Sequence, residues 1–368
     1  MTTPPIPSAP PLSPEDLGAW VDLLWTAVES SDEYTAGEVA FTALDAGMDA
    51  ETVLLDVIAA VQRKVGEEWA ANRITVAQEH AATAINERVT GAISYHFAER
   101  TAARRGRITV ACVDGEWHDL PALLLAEVLR LRGWRVDYLG AQVPTPHLIA
   151  HLRLVGADAV ALSSSIPTRL PTAHATIGAC RTAGFPVLAG GAAFGPDGRY
   201  ACLLGANFWA PDARSAADRL EREPVAQPGN AHAAVDDLPH LADQEYALVV
   251  HSAPQLVGQC LVELEERFPA MRDYTDLQRE YTAQDIAHIV DFLAAALYTD
   301  DADLFSRFLT WTADVLTARK VPAHSLLPAL DALASDLDGS PRAVDLLTQG
   351  RRTLTGRHGV SATRPVRD

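Results

Sequence analysis

Three short pieces of this 368-residue chain carry the residue types that could do chemistry, in the order Glu116-x-His118, Ser163-x-Ser165 and Gly190-Gly191. An imidazole can give one ring nitrogen to a metal while the other is oriented by a hydrogen bond, and Glu116 is the natural partner for His118. Serine and glycine at strand ends leave room for a narrow group to lie against the backbone. Forty-one residues separate Pro121 from Ser163 and twenty-four separate Ser165 from Gly190, so each piece can follow its own strand. One histidine and two small-residue edges then meet at the carboxyl end of a parallel sheet, where such sheets bind ligands. The set suits a large planar metallo-cofactor. Alone, His118 reads as a loop histidine without a ligand; its two companions reverse that reading.

The elements that must position these residues follow from periodicity. Short continuous apolar runs at Ile108 to Val113, Val136 to Leu139, Ala159 to Leu162 and Pro186 to Ala189 alternate with helical stretches. A fifth strand is expected over Asn207 to Ala210 and a closing helix over Pro211 to Arg222. This is the pattern of a doubly wound, five-stranded parallel sheet, covered on both faces, spanning residues 104–222. Upstream, residues 15–103 are helical: Leu54, Ile58, Val61, Val65 and Trp69 form one stripe, and four or five helices fit a four-helix-bundle cap. Ser13-Pro14-Glu15-Asp16 suits a helix N-terminus, and residues 1–14, with six prolines, are expected to be a disordered lead. Residues 223–240 read as a linker. From 241 to 368 an all-α region is expected, with stripes through Ile286, Ile289, Val290, Leu293 and Leu297 and then Leu304, Phe305, Phe308, Leu309 and Trp311, broken by a capped turn at Thr299 to Asp303.

The three pieces resemble the signature of the cobalamin-binding domain. That resemblance implies that His118 is the lower axial ligand of cobalt, and that the Ser163/Ser165 and Gly190/Gly191 edges line the slot for the nucleotide tail, with Asp114 on its rim. The chain departs from the usual pattern in having Pro121 where a glycine is common, Glu116 where Asp is commoner, and Ser165 at an apolar position.

A second constellation lies upstream. Trp69 is followed after nine residues by Glu79-His80, and Thr75 with Gln78 has capping-box spacing, which places Glu79 and His80 in the first turn of a new helix. An indole offers a flat wall and a carboxylate an acceptor for sugar hydroxyls. The bland alternative makes Trp69 a core anchor and His80 a surface residue. Standing before the cobalamin-like segment, the set resembles the cap of CarH-like photoreceptors. The resemblance implies adenosylcobalamin, with Trp69 packed on the upper adenosyl group, Glu79 bonded to it, and His80 a second cobalt ligand after light removes it. Such proteins begin with a DNA-binding domain; here a Pro-rich tail precedes the cap.

The C-terminal region resembles the globin-like, bilin-binding half of the photocobilins, which implies biliverdin or a related bilin as a second chromophore. Tyr281, Asp285 and His288 share one helical face, and Arg307 with Trp311 repeats the four-residue offset on the next helix; these are the candidate bilin residues. The plainer alternative makes Phe292, Phe308 and Trp311 core and His288 a satisfied histidine. Cys260 could attach a bilin, but a noncovalent pigment is the expectation.

Composition narrows the rest. A formal charge of -18 opposes binding to phosphate backbones, and the one basic cluster, Arg104-Arg105-Gly106-Arg107, is expected to be a solvated linker. Four scattered cysteines, two of them (Cys112 and Cys202) inside apolar runs, read as buried reduced thiols. Uninterrupted apolar runs fall far short of a membrane span, so a soluble, cytoplasmic protein is expected, with no nucleic-acid or membrane partner. No nucleophile–base grouping and no phosphate-binding glycine loop is present, which argues against an enzyme. The expected function is light sensing by a homo-oligomer whose state depends on light, or which signals to a separate effector. The alternatives are a corrinoid methyl carrier and a cobalamin sensor indifferent to light.

Overall fold

In this computed structural model the described residues are 13–97, 105–222, 238–267 and 269–361. The Pro-rich lead up to residue 12 and most of the expected linker lie outside them.

The cap opens with α1 (Leu17–Glu29), where Asp16 is the N-cap and accepts from the Ala19 amide; Pro14 and Glu15 form a turn before the helix rather than its first residues. α2 (Glu33–Asp45) follows, and then α3 (Ala50–Thr52) runs through a π-helical stretch, Val53–Ile58, into α4 (Ala59–Ala70). Leu54, Ile58, Val61 and Val65 are fully buried, as the stripe requires. Trp69 is only partly buried, since its position lies one turn beyond the packed part of the stripe. The chain reverses through Asn72, at φ 58°, and re-enters a helix, α5 (Val76–Phe97). The expected capping box is present: the Thr75 amide donates to Gln78 Oε1 at 2.9 Å and the Gln78 amide to Thr75 Oγ1 at 3.2 Å.

The sheet comprises β1 (Arg107–Cys112), β2 (Arg135–Gly140), β3 (Ala159–Ser163), β4 (Val187–Gly190) and β5 (Phe208–Ala210), all parallel, in the order β2-β1-β3-β4-β5. The helices between and after them are α6 (Leu120–Leu131), α7 (Thr145–Val155), α8 (Leu170–Thr182), α9 (Arg199–Leu203) and α10 (Ala213–Arg222). This order reverses direction between β1 and β3, which is the crevice where open α/β sheets bind ligands. Arg104 lies outside the described residues, and the rest of the basic cluster does not behave as a solvated linker: Arg105 donates to the Arg132 carbonyl at 2.9 Å, and Arg107 opens β1 with its guanidinium on Asp137 at 2.6 Å. Cys112, Cys180 and Cys260 are buried, and burial pushes each thiol up to about 12, but Cys202 on α9 is exposed, against expectation.

Ion pairs tie cap to sheet. Arg132 of α6 donates to both oxygens of Glu51, at 2.9 and 2.7 Å, and also meets Asp218, while Arg214 reaches Asp56 in the π-helical stretch at 2.7 Å. One apolar core joins the cap to α6 and α10 on one face of the sheet.

The C-terminal helices α11 (Glu245–Arg267), α12 (Asp276–Thr299), α13 (Ala302–Ala318), α14 (Leu327–Asp336) and α15 (Pro341–Ser361) share a second core with the opposite sheet face. Asp301 caps α13 as expected of the acidic turn and also receives Tyr200 Oη at 2.6 Å, which anchors the helices to α9. Among the described residues one helix, α11, is long and apolar enough to cross a membrane; Val249, Leu256, Cys260 and Leu264 of it are buried.

Candidate functional site

The loop after β1 is built around a buried carboxylate. Glu116, 1% exposed, accepts on one oxygen from the His118 amide at 3.0 Å and meets His118 Nδ1 at 2.6 Å. Its other oxygen accepts from Ser164 Oγ at 3.1 Å and from the amides of Ser165 and Ile166 at 2.7 and 3.1 Å. Burial is the largest influence on this acid and opposes ionisation, but the bonds from His118, Ser165 and Ile166 outweigh it and hold the carboxyl down to about 2. A permanent anion therefore grips one nitrogen of His118 and raises the affinity of that ring for a proton or a metal. The side chain of His118 is 59% exposed, with Nε2 turned away from Glu116.

The other two pieces close the same edge. Ser163 ends β3 opposite Cys112 and Gly190, and the Ser164 amide donates to the Gly190 carbonyl at 3.1 Å. Gly191 lies at φ 100°, and a Cβ there would stand 2.3 Å from the Ser164 carbonyl oxygen, so glycine is required for the β3 and β4 loops to touch. Beside them a narrow slot of about 100 Å³ is lined by Pro121, Leu162, Ser163, Gly190, Gly191 and Ala210. Pro121 sits in the first turn of α6, as its fixed φ allows. Ser165 faces the adjoining cavity instead, and Asp114 lines neither space.

Above His118 are two cavities, of about 960 and 450 Å³, which share Gln62, Glu79, His80 and His118 among their walls. Trp69 and Val76 face the larger; Glu87, Trp117 and Asp119 face the smaller. Glu79 and His80 stand in the first turn of α5, with His80 Nδ1 on Glu79 Oε2 at 2.6 Å. Gln62 donates to Thr83 at 2.8 Å and accepts from Asn86 at 2.8 Å, fixing α4 on α5 so that Trp69 and Glu79 face one space. Burial, then the neighbouring Asp119, raises the Glu87 carboxyl above its ordinary value. Gln62 and Glu87 were missed in the sequence because polar residues on long helices carry no spacing signal; Trp117 and Asp119, which flank His118 in the loop before α6, had one in that adjacency.

The five bilin candidates do not form one pocket. Tyr281 is 55% exposed on α12. Asp285 and His288 are electrostatic neighbours on that helix, and burial raises the Asp285 carboxyl. Arg307 instead reaches Tyr200 Oη of the sheet domain at 3.3 Å, and Trp311 lines the larger cavity over His118. Phe292 and Phe308 stack at 3.9 Å in the core, the plainer alternative. Cys260 is fully buried, with Sγ directed at the Ala329 carbonyl, which leaves no approach for a covalent pigment.

These features define a class: a doubly wound domain with a histidine at its switch point under a four-helix cap. The donor set fits a corrinoid. One imidazole nitrogen is held by a buried anion and the other faces open space, a small-residue slot runs into the sheet edge, and the volume above suits a large ligand. Residues 106–218 match the family described as B12 binding domain, and residues 20–94 match a second family of that description.

The sheet domain and the N-terminal helices thus both match B12 binding domains. The chain is similar to the HTH-type transcriptional repressor CarA of Myxococcus xanthus, 36% identical over 125 residues, 32% of this chain and 41% of that protein. It is also similar to the repressor CarH of the same organism, 30% identical over 178 residues, 47% of this chain and 58% of that protein. The chain spans about half the length of these curated relatives. Trimethylamine corrinoid protein 1 of Methanosarcina acetivorans is 24% identical over 146 residues, 39% of this chain and 68% of that protein. Among solved structures, the monomethylamine corrinoid protein of Methanosarcina barkeri has a TM-score of 0.49 at 18% identity, covering 56% of this chain and 99% of that one.

Proposed function

We propose that the chain is a light sensor that holds adenosylcobalamin between its cap and its sheet domain and passes the resulting change to its C-terminal helices. The observation that carries this reading is the meeting of His118 from one side with Trp69, Glu79 and His80 from the other around shared space. Bound adenosylcobalamin supplies a cobalt–carbon bond that visible light breaks. His118 would hold the lower face, with Glu116 fixing its ring, and the slot at Ser163 and Gly190 would take the nucleotide tail. Trp69 would wall the adenosyl group while Glu79 accepts from its sugar hydroxyls. His80 is 75% exposed and held through Nδ1 alone, so its ring is free to turn Nε2 toward the vacated face. A cap that differs in energy before and after that turn is a two-state element, and a change of homo-oligomeric state or the docking of a separate effector is its expected output.

Purified protein loaded with adenosylcobalamin in darkness is expected to change its corrin spectrum under green light, and a corrin indifferent to the lamp would sink the proposal. The His80→Ala variant should reach a different final spectrum from the parent. Identical end states would remove His80 from the response.

The likeness to a trimethylamine corrinoid protein favours one competitor, a methyl carrier. A bulky indole and a second imidazole above the ring suit a large adenosyl group better than repeated methyl exchange, and a preference for methylcobalamin would reverse the choice. For the C-terminal helices we propose a noncovalent bilin, on the strength of Asp285 beside His288 on one face of α12. Coexpression with a source of biliverdin should give a red-absorbing band that stays with the protein through gel filtration. Loss of the band would leave these helices as a signalling element alone.

A further inference from the structure

Trp69, which walls the larger cavity from the cap, packs against the cap core but is held by the C-terminal helices as well. Its indole stacks on Trp311 of α13, with ring centroids 6.1 Å apart and planes inclined by 27°. The guanidinium of Arg319 lies 4.9 Å from the Trp69 ring centroid. The same guanidinium donates to the carbonyls of Trp69 and Ala70, each at 3.3 Å, and to the Val315 carbonyl at 3.1 Å. Trp69 and Ala70 are the last two residues of α4, and Arg319 is the C-cap of α13. One cation therefore gathers the negative ends of two helices about 250 residues apart in the chain, adding a second donor to the Trp69 and Val315 carbonyls, which already accept the amides of Asn72 and Arg319. Trp311, Asp314, Val315 and Ala318, at offsets of three, four and seven, turn one face of α13 into the cavity wall.

We propose that Trp311 and Arg319 are positioning residues that set the pose of Trp69, so that the C-terminal helices select which upper axial group the cobalamin cavity accepts. The inference rests on the reading of the cavity as a cobalamin site. An indole in contact with both Trp311 and a guanidinium presents its remaining surface to the cavity in one orientation. Freed of both, Trp69 keeps only its packing against the cap core, and its indole gains freedom to turn over the open space. A cavity wall that rotates accepts a methyl group as readily as before but loses its flat complement to a purine. The same contacts run in reverse: any ligand that displaces Trp69 must also disturb α13, which connects the cavity to the C-terminal core through Phe308 and Leu309.

The test is the ratio of dissociation constants for adenosylcobalamin and methylcobalamin, measured in darkness on the full chain by corrin absorbance across a filtration membrane. The parent should prefer adenosylcobalamin. Trp311→Ala and Arg319→Gln should each raise the adenosylcobalamin-to-methylcobalamin ratio by about three- to tenfold, the scale of one stacking or cation–π contact, and Arg319→Gln should do so with methylcobalamin binding unchanged. Trp311→Phe keeps a ring to stack and should retain most of the preference. Trp311 is 49% exposed, so thermal midpoints close to the parent's are expected in both Trp311 variants. Variants that keep the parent's ratio, or that weaken both cobalamins equally, overturn the proposal while leaving the cobalamin site intact. A parent that binds neither cobalamin, or binds both alike, instead defeats the reading beneath it and takes the proposal with it.

Discussion

A His118→Ala protein is expected to come off a gel-filtration column stripped of the corrin that the parent retains, with a thermal midpoint close to the parent's. The two outcomes separate because the ring and its loop are held by different bonds. Removing the imidazole takes one donor from Glu116, but the amides of residues 118, 165 and 166 and the Ser164 hydroxyl still satisfy the carboxylate. The loop therefore keeps its shape, and the loss falls on whatever the free Nε2 would have held. Outer-shell changes cost roughly 10–100-fold in metal affinity, and loss of the ligand itself should exceed that. Glu116→Gln supplies the comparison. It keeps the ring but removes the buried anion that fixes it, so an affinity loss in that 10–100-fold range and a stability loss of about 1–3 kcal/mol are expected. Retention of the corrin by His118→Ala, with the parent's visible spectrum, would refute the assignment of the lower ligand.

The largest stability effect should come from Gly191→Val. A side chain there meets the Ser164 carbonyl oxygen at 2.3 Å and its carbon at 2.9 Å, both backbone atoms that cannot swing aside, and the φ of 100° is itself strained for valine. Backbone strain alone costs about 1–3 kcal/mol, and the collision adds to it. The Ser164 carbonyl already receives the Ala193 amide at 3.1 Å, so moving it breaks the bond that locks the β3 loop to the β4 loop. A loss of about 3 kcal/mol or more is expected, lowering the midpoint by roughly 6–12 °C at the 2–4 °C per kcal/mol seen for domains of 150–250 residues. Gly190→Ala is the control. Its Cβ would find its nearest neighbour, the Ala210 carbonyl oxygen, at 3.5 Å, an ordinary contact, so a change within about 1 kcal/mol is expected. Equal midpoints for the two variants would show that the β4 loop is not packed as described.

The sheet was legible because buried parallel strands must be continuously apolar, and the observed strands fall within a residue or two of the runs at 108, 136, 159, 186 and 207. The lower half of the site was legible for a related reason. In a doubly wound sheet the loop after each strand lands at the same edge, so Glu116-x-His118, Ser163 and Gly190-Gly191 meet through topology alone. The cap was partly legible: the Thr75–Gln78 box placed Glu79 and His80 correctly, because capping is a local interaction. The bilin candidates fared differently. The offset of Arg307 and Trp311 identified one helical face but not the neighbour that face would meet, which is the sheet domain and the cavity over His118.

What the sequence alone determined, then, is whatever depends on short range or on the regularity of the fold: strand order of appearance, caps, the histidine with its carboxylate, and the glycine edge. Only the tertiary structure decided that the anion of Glu116 is shared between the β1 and β3 loops, that Arg105 and Arg107 are stitched into the sheet domain, and that Trp69 is clamped by residues some 250 positions away. The physical reason is that a hydrogen bond or ring contact across distant elements depends on where whole helices dock. Docking is set by summed burial over many residues, and no local spacing records it.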